Sequence, residues 1–183
     1  AMHSELLDFS QKANYWSFAP GYTHESLQTG VMTLSSRQPM MHCSLVTWEP
    51  WLGTPKATNF TEFALTETED TLMVVNIHAV NFTLGLEVFR QQIRQVHKIV
   101  SDHQGPVIFS GDFNTWRRER FHLLDTMLSS LGMHALSFEQ DKRKKIFGQH
   151  LDHIYIRELQ VLGANTQKVR SSDHNPMSVS FSL

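Results

Sequence analysis

Residues 107–116 read Val107-Ile108-Phe109-Ser110-Gly111-Asp112-Phe113-Asn114-Thr115-Trp116 and carry the strongest structural signal in the chain. The apolar first half predicts a buried strand, and the second half predicts a tight turn that leads into a helix. Gly111 allows the backbone to bend closely, and Asp112 and Asn114 project to the same side where the strand ends. Their side-chain oxygens suit Mg²⁺, although such residues also shape turns and cap helices.

The sequence on both sides of this segment predicts alternating strands and helices. An apolar stripe over residues 89–100 predicts one helix, and a second over residues 121–131 ends at Gly132, which favours a left-handed cap. Shorter β-prone runs predict strands at residues 30–34, 43–48, 58–65, 71–77, 154–157, 160–164 and 177–181. Mixed strands with two helices predict a layered α/β fold.

Length and composition predict one domain over residues 1–183. The chain has 183 residues, a formal net charge of −2 and 40% hydrophobic residues, and no repeat or linker divides it. A chain of this length buries enough apolar surface to fold without disulfides or a structural metal. We interpret Ala1 and Met2 as an expression remnant and a start methionine.

The single cysteine and the short apolar runs narrow the class of protein. Cys43 has no partner, which excludes a disulfide scaffold and a cysteine zinc module, and we expect a small buried thiol in a reducing compartment. No apolar run is long enough to span a membrane and no signal peptide is visible, so we expect a cytoplasmic protein. The near-neutral charge excludes binding of nucleic acid by bulk electrostatics alone.

Two further segments place acidic and imidazole groups near predicted strands. Asp152 stands at the start of an apolar strand, and Asp173 and His174 are adjacent in a loop before the final strand. In such a pair Asp173 can face a cation while His174 points toward a substrate oxygen, provided that another carboxylate orients the imidazole. Asp152 is the natural candidate for this orienting role.

A fourth segment, residues 74–82, ends a predicted strand with His78. Asn81 follows three residues later and can donate to a phosphate. A lone His at a strand end is commonly structural, but in the company of Asp112 and His174 it is also a candidate acid.

These segments resemble the endonuclease/exonuclease/phosphatase superfamily, which includes DNase I, exonuclease III-type apurinic endonucleases, neutral sphingomyelinases and inositol phosphate phosphatases. The resemblance rests on Gly-Asp-Phe-Asn at 111–114, Leu-Asp at 151–152 and Ser-Asp-His-x-Pro at 172–176, in this order. The surrounding sequence is most similar to the bacterial YafD-like branch. The resemblance implies a DNase I-like fold, in which two packed mixed β-sheets are flanked by helices.

Two motifs of the superfamily do not occur in this sequence. Its members begin with a strand that carries an Asn and continue to a Gln-Glu whose Glu is a principal Mg²⁺ ligand. The first acidic residue here, Glu5, lies in a segment that predicts the start of a helix. We therefore expect the chain to lack the first strands of the domain and to have impaired metal binding and activity. We also expect it either to self-associate through exposed sheet edges or to fill the gap with a rearranged N-terminal stretch.

The resemblance also implies a reaction, which is the attack of water on a phosphoester with one Mg²⁺ or Mn²⁺ ion. Asp112 would orient or deprotonate the water. Asn114 would hold that water and a phosphate oxygen. Asp112 and Asn114, together with Asp173, would contact the metal or its waters.

The remaining candidates would act on the phosphoryl group. His174, held by Asp152, would stabilise the phosphoryl oxygens or exchange a proton with them. His78 would lie near the leaving group, and Asn81 would contact phosphate.

The sequence leaves the choice of substrate open. Basic residues within 117–120 and 142–145 flank the predicted site and either track a nucleic-acid backbone or are solvated charges. The four tryptophans either stack on bases or, for most of them, pack in the core or at its rim. The predicted function is a metal-dependent phosphodiesterase or nuclease. The alternatives are a phosphomonoesterase, a lipid phosphodiesterase, or a binding module without catalysis.

Overall fold

The structure, a computed structural model, describes residues 14–25, 27–66 and 69–183, which form twelve strands and two helices. The strands are β1 (Tyr15–His24), β2 (Leu27–Ser35), β3 (Met41–Trp48), β4 (Pro55–Ala64), β5 (Thr71–His78), β6 (Val107–Asp112), β7 (His134–Ala135), β8 (Lys145–Ile146), β9 (Gln149–His150), β10 (Asp152–Arg157), β11 (Gln160–Thr166) and β12 (Met177–Ser182). The helices are α1 (Glu87–Asp102) and α2 (Arg118–Ser129). Every strand and helix predicted within the described residues forms, and most are longer than predicted.

The main sheet has six strands in the order β3-β4-β5-β6-β10-β7. β5 and β6, which α1 connects, are parallel, and the other neighbouring pairs are antiparallel. The register places His78 beside Asp112 across β5 and β6, and Asp112 beside Asp152 across β6 and β10. Three polar residues that are far apart in sequence therefore lie side by side at one end of the sheet.

Helices α1 and α2 cover one face of the main sheet. α1 buries the apolar stripe predicted for it, which consists of Phe89, Ile93, Val96 and Val100. This stripe packs against alternate strand residues such as Val107 and Phe109. Full burial of each such side chain contributes roughly 1.5–3 kcal/mol. Beyond the end of α2, Gly132 has a φ of 74°, which is the left-handed conformation expected of it.

A two-stranded ribbon, β1 and β2, lies on the opposite face of the sheet and is held there by two asparagines. Asn59 of β4 donates to the carbonyl oxygen of Ser17 at 3.0 Å and to the hydroxyl of Thr33 at 3.2 Å. Asn76 of β5 donates to the carbonyl oxygen of Met32 at 3.1 Å. Polar side chains on central strands thus tie the ribbon to the sheet.

A second ribbon, β11 and β12, covers the same face further along. Its Met177 and Val179 pack in one apolar cluster with Ile108, Ile154 and Ile156 of the main sheet. Among the described strands, β2 and β12 are not neighbours. Within the described residues the second layer therefore consists of two separate ribbons. Self-association through their edges stays a prediction.

Strand β1 is absent from the sequence-based prediction because Pro20 and Gly21 lie inside it. Both residue types are unfavourable in the interior of a strand. The pairing of β1 with β2 shifts register between Pro20 and Thr23, and this irregularity accommodates them.

Several side chains are more exposed than the sequence predicts. The prediction of a buried Cys43 is wrong, because β3 is the edge strand of the main sheet and none of its residues is buried. Trp16, Trp48 and Trp51 are also exposed, so the expectation of core or rim packing is wrong for these three.

The helix predicted to start near Glu5 lies outside the described residues. Within the described ranges, no helix combines the length and the apolar character needed to cross a lipid bilayer.

Candidate active site

One end of the main sheet opens into a cleft of about 440 Å³. The side chains that line it are His78, Asn81, Asp112, Asn114, Asp173 and His174, together with Lys144, Ile146 and Leu151. Asp152 lies next to the cleft and contacts His174. The structure therefore brings together all seven residues proposed from the sequence, while their chemical roles stay proposals.

His174 and Asp152 form a carboxylate–imidazole pair. Nδ1 of His174 lies 2.9 and 2.8 Å from the two carboxylate oxygens of Asp152 and donates to them. Nε2 of the same ring is 4.0 Å from Oδ2 of Asp112. Burial alone would lower the pKa of His174, but the hydrogen bond to Asp152 and the nearby carboxylates outweigh burial and raise it. Burial also raises the pKa of Asp152, against the opposing effect of His174.

Gly111 positions Asp112 by allowing β6 to approach β5 closely. Its φ is 142°, and a Cβ atom at this position would lie 2.0 Å from the carbonyl oxygen of Ile77. Oδ1 of Asp112 accepts the backbone N–H of Asn114 at 2.9 Å, and Oδ2 is 3.7 Å from Nε2 of His78. Burial raises the pKa of Asp112 despite this hydrogen bond and the neighbouring imidazoles.

Asn114 adopts a left-handed backbone conformation, with a φ of 51°, that asparagine tolerates better than most residues. Its amide nitrogen donates to the carbonyl oxygen of Ala79 at 2.9 Å. Because the nitrogen is engaged by the backbone, the amide oxygen is the atom of Asn114 that is suited to a ligand in the cleft.

Lys56 joins the site although nothing in the sequence marks it. Its Nζ lies 3.1 Å from Nε2 of His78. An ammonium group only donates, so Nε2 of His78 accepts and the ring carries its proton on Nδ1. Burial, followed by the charge of Lys56, lowers the pKa of His78, although Asp112 and Glu49 oppose the shift. His78 is therefore neutral in this arrangement, with a positive charge beside it.

The backbone around Asn81 is held by a buried carboxylate. Glu49 accepts the backbone N–H of Asn81 at 2.5 Å and that of Phe82 at 3.2 Å. The indole N–H of Trp116 donates to the side-chain oxygen of Asn81 at 2.9 Å. Since Trp116 engages the oxygen, the amide nitrogen of Asn81 is the end that can donate to a ligand in the cleft.

Arg120 of α2 holds the same segment from the other side. Its guanidinium donates to four oxygens, which are the carbonyls of Val80 (2.7 Å), Asn81 (3.0 Å) and Asn114 (3.1 Å) and the hydroxyl of Thr83 (2.7 Å). Arg120 is 1% exposed. Burial lowers its pKa to about 10, so it remains charged at neutral pH. Arg120 thus fixes Asn81 and Asn114 relative to each other.

A second buried arginine supports the segment that carries Asp152. Arg143 donates to the carbonyl oxygen of Asp152 at 2.9 Å and pairs with Asp141 at 2.6 Å. The hydroxyl proton of Thr115 goes to a backbone carbonyl, so Nε2 of His153 donates to Thr115 and Nδ1 faces Arg143 at 3.4 Å. Burial and the charge of Arg143 lower the pKa of His153 to about 3, which keeps it neutral.

These two arginines correct a prediction about nucleic-acid contacts. Arg120 and Arg143 are buried and bind the protein itself, so neither alternative, a nucleic-acid contact or a solvated charge, holds for these two residues. Arg117 and Arg118 are exposed, and Lys144 is exposed and lines the cleft. The guanidinium of Arg117 lies 4.5 Å over the ring of Trp116.

The helical pattern contains a signal for Arg120 that sequence reasoning missed. Arg120, Leu124 and Leu128 are spaced at i, i+4 and i+8 and form the buried face of α2. A charged residue on an apolar stripe indicates a buried and paired group. Glu49 and Lys56 have no such signal, because Glu49 lies in the turn after β3 and Lys56 is the second residue of β4.

The oxygens proposed as metal ligands, those of Asp112, Asn114 and Asp173, line the same cleft. Across the described part of the chain, no group of three or more His, Cys, Asp or Glu side chains is arranged to hold a metal ion.

Comparison with known proteins identifies the family. The model of the endonuclease/exonuclease/phosphatase family matches residues 3–174. The chain belongs to this family. Members of the endonuclease/exonuclease/phosphatase family are in general phosphoester hydrolases, and the predicted resemblance is confirmed. A UPF0294 protein of Vibrio campbellii is 39% identical over 155 residues, which make up 84% of this chain and 55% of that protein. The chain thus spans about half the length of this relative. The 39% identity supports the YafD-like resemblance.

Two solved structures share the DNase I-like α/β fold. The endonuclease/exonuclease/phosphatase from Bacteroides vulgatus has a TM-score of 0.67 at 17% identity, covering 99% of this chain and 81% of its own. TDP2 from D. rerio, complexed with a single-strand DNA product, has a TM-score of 0.61 at 14% identity, covering 98% and 82%. These likenesses confirm the predicted fold class.

Proposed function

We propose that this chain carries the hydrolytic site of a metal-dependent phosphodiesterase that attacks its substrate with water. The observation that carries the proposal is the Asp152–His174 pair at the cleft. Nδ1 of His174 binds Asp152, and Nε2 of the same ring lies 4.0 Å from Oδ2 of Asp112. The raised pKa of His174 favours an imidazolium that donates to a phosphoryl oxygen, while Asp112 offers an acceptor to water. Membership of a hydrolytic family supports the reaction class.

The donor chemistry of the cleft fits a Mg²⁺ or Mn²⁺ ion held by few protein ligands. Asp112 and Asp173 offer carboxylate oxygens, and Asn114 offers an amide oxygen. Mg²⁺ commonly takes one or two carboxylates and completes its shell with waters and phosphate oxygens. Such an ion supplies positive charge to the phosphoryl oxygens. We expect weak metal binding in the absence of substrate, since in the described residues no three His, Cys, Asp or Glu side chains are arranged to hold a metal ion.

The attacking water is handled by Asp112 and Asn114. Burial raises the pKa of Asp112 and so brings its basicity closer to what general-base catalysis near neutral pH requires. The amide oxygen of Asn114 orients the same water. Arg120 acts as a positioning residue, because it binds the backbone of Asn114 and that of Asn81.

The opposite side of the phosphoryl group faces Asn81, His78 and Lys56. The amide nitrogen of Asn81 donates to a non-bridging oxygen. Lys56 donates to Nε2 of His78, so the ring can give its Nδ1 proton to the departing oxygen while Lys56 passes a proton to Nε2 and becomes a neutral amine.

A nucleic-acid strand is the substrate that the exposed charges favour. Lys144 lines the cleft, and Arg117 and Arg118 are exposed on the segment that follows Trp116. Such side chains contact neighbouring phosphates of a strand without reading its sequence. The DNA product bound to TDP2 is consistent with a substrate of this kind.

Hydrolysis assays on two variants test this proposal. We expect Asp112→Asn and His174→Ala each to lower turnover of bis(4-nitrophenyl) phosphate and of DNA, with Mg²⁺ or Mn²⁺, by about 10²–10⁴-fold. Leu162→Ser, an exposed change on β11, is the control and should retain full turnover. Wild-type turnover in both site variants would contradict the assignment.

The same assays separate the alternative functions. A preference for 4-nitrophenyl phosphate would indicate a phosphomonoesterase, and a preference for a choline phosphate headgroup would indicate a lipid phosphodiesterase. Calorimetric binding of Mn²⁺ without turnover of any substrate would indicate a binding module.

A further inference from the structure

A second cavity, of about 450 Å³, lies beside the cleft and has almost entirely apolar walls. We call it the aromatic groove, and it is lined by Trp51, Leu52, Phe82, Thr83, Leu84 and Trp116. Trp51 is 74% exposed and Leu84 is 69% exposed. Single exposed apolar residues are ordinary, but several that share one concave surface indicate a binding site.

The two walls of the aromatic groove are joined by one buried carboxylate. Glu49 accepts the backbone N–H of Phe82 in one wall. Its own backbone closes the turn 49–54, which carries the other wall, through hydrogen bonds with Thr54 at 3.0 Å and Gly53 at 2.9 Å. Arg120 adds a hydrogen bond to the hydroxyl of Thr83 at 2.7 Å. Hydrogen bonds to two buried side chains, Glu49 and Arg120, therefore hold the walls of the groove in place.

The aromatic groove lies next to the cleft. Asn81 lines the cleft, and the next residue, Phe82, lines the groove. Trp116 lines the groove and donates to Asn81. The groove is therefore a neighbouring surface for a group bonded to a phosphate in the cleft.

We propose that the aromatic groove is a subsite for an aromatic ring carried by the phosphoester whose phosphoryl group occupies the cleft. This inference rests on the proposed function. Three of the six lining side chains, Trp51, Phe82 and Trp116, are aromatic and offer ring faces and edges to a flat occupant. The guanidinium of Arg117, 4.5 Å over the ring of Trp116, places positive charge at the groove and suits an anionic ligand.

Calorimetry with non-hydrolysable ligands tests the subsite separately from turnover. Phenylphosphonate and methylphosphonate, with Mg²⁺ present, differ only in the group that would enter the groove. Burial of a ring should make phenylphosphonate bind about tenfold more tightly or better. Hexylphosphonate offers a flexible chain, which loses more conformational freedom on binding, and should bind more weakly than phenylphosphonate.

Three variants assign the effect to its source. Leu84→Ser should reduce the advantage of phenylphosphonate over methylphosphonate to below about threefold and leave methylphosphonate affinity unchanged. Leu162→Ser, which alters a similarly exposed leucine on β11, should preserve the full advantage. His174→Ala should weaken both ligands equally, because it alters the phosphoryl site and leaves the groove intact.

The outcomes separate failure of the subsite proposal from failure of the proposed function. Equal affinities of wild-type protein for phenylphosphonate and methylphosphonate, or no detectable binding of phenylphosphonate, would overturn the subsite. Tighter binding of hexylphosphonate would overturn the aromatic occupant. If Leu84→Ser removes the phenyl advantage while His174→Ala changes neither affinity, the subsite is supported and the phosphoryl role of His174 is wrong.

Discussion

Replacement of Arg120 by methionine should detach helix α2 from the backbone that carries Asn81 and Asn114. Methionine has a similar length and can fill much of the same volume, but it has no donor. The native guanidinium binds four oxygens and lies 4.9 Å over the ring of Phe89. The substitution therefore removes the hydrogen bonds while largely preserving the packing.

The expected loss of stability follows from four acceptors and one charge. Each acceptor left unpaired in a buried position costs about 1–3 kcal/mol. Removal of the buried charge offsets part of this, because the lowering of the Arg120 pKa to about 10 corresponds to a cost of about 3 kcal/mol in the folded state. With about 1.5 kcal/mol for each acceptor, Arg120→Met should lower the free energy of unfolding by roughly 3 kcal/mol, or the melting temperature by roughly 6–12 °C.

Urea unfolding followed by tryptophan fluorescence measures this loss. The matched control is Arg118→Met, an exposed change in the first turn of the same helix, which should alter stability by no more than about 0.5 kcal/mol. Arg120→Lys should give an intermediate loss, since an ammonium cannot reach all four oxygens at once. If Arg120→Met proves no more destabilising than Arg118→Met, the buried guanidinium does not hold the segment around Asn81 and the reasoning is refuted.

Two other predictions concern the strand end that forms the cleft. Gly111→Ala should lower the free energy of unfolding by about 3 kcal/mol or more, because the added Cβ would lie 2.0 Å from the carbonyl oxygen of Ile77. The control is Gly163→Ala, whose added Cβ would have no atom within 4 Å. It should leave stability nearly unchanged in the same urea assay. Asp152→Asn should lower the pKa of His174 in an NMR titration. In the wild type the raised pKa of His174 stabilises the fold below about pH 6.5, and this contribution is lost as pH rises through the folded-state pKa. In Asp152→Asn this pH dependence of unfolding should be smaller. An unchanged His174 titration would show that the hydrogen bond does not set its pKa.

Local sequence patterns were sufficient to predict the elements that carry the site. The apolar stripe of α1 follows from its spacing, and the strand that ends in Asp112 follows from an apolar run stopped by glycine. β1 was missed because Pro20 and Gly21 oppose strand formation locally, and its pairing with β2 is a tertiary outcome. The thiol of Cys43 was misplaced because residue type alone does not reveal which strand lies at the sheet edge.

The site residues also fall into those that the sequence identifies and those that only the tertiary structure reveals. Asp152 and His174 are recognisable in the sequence, since their residue types and order carry the family pattern and their pairing follows from simple acid–base logic. Sequence could not reveal that Glu49, Lys56 and Arg120 surround the same cleft, because each reaches it through contacts 22 to 40 residues apart along the chain. Whether a charge faces solvent or the protein's own carbonyls depends on which surfaces are packed over it. The amino-acid order therefore specifies which groups are the candidates for catalysis, and the folded packing specifies how they are oriented and charged.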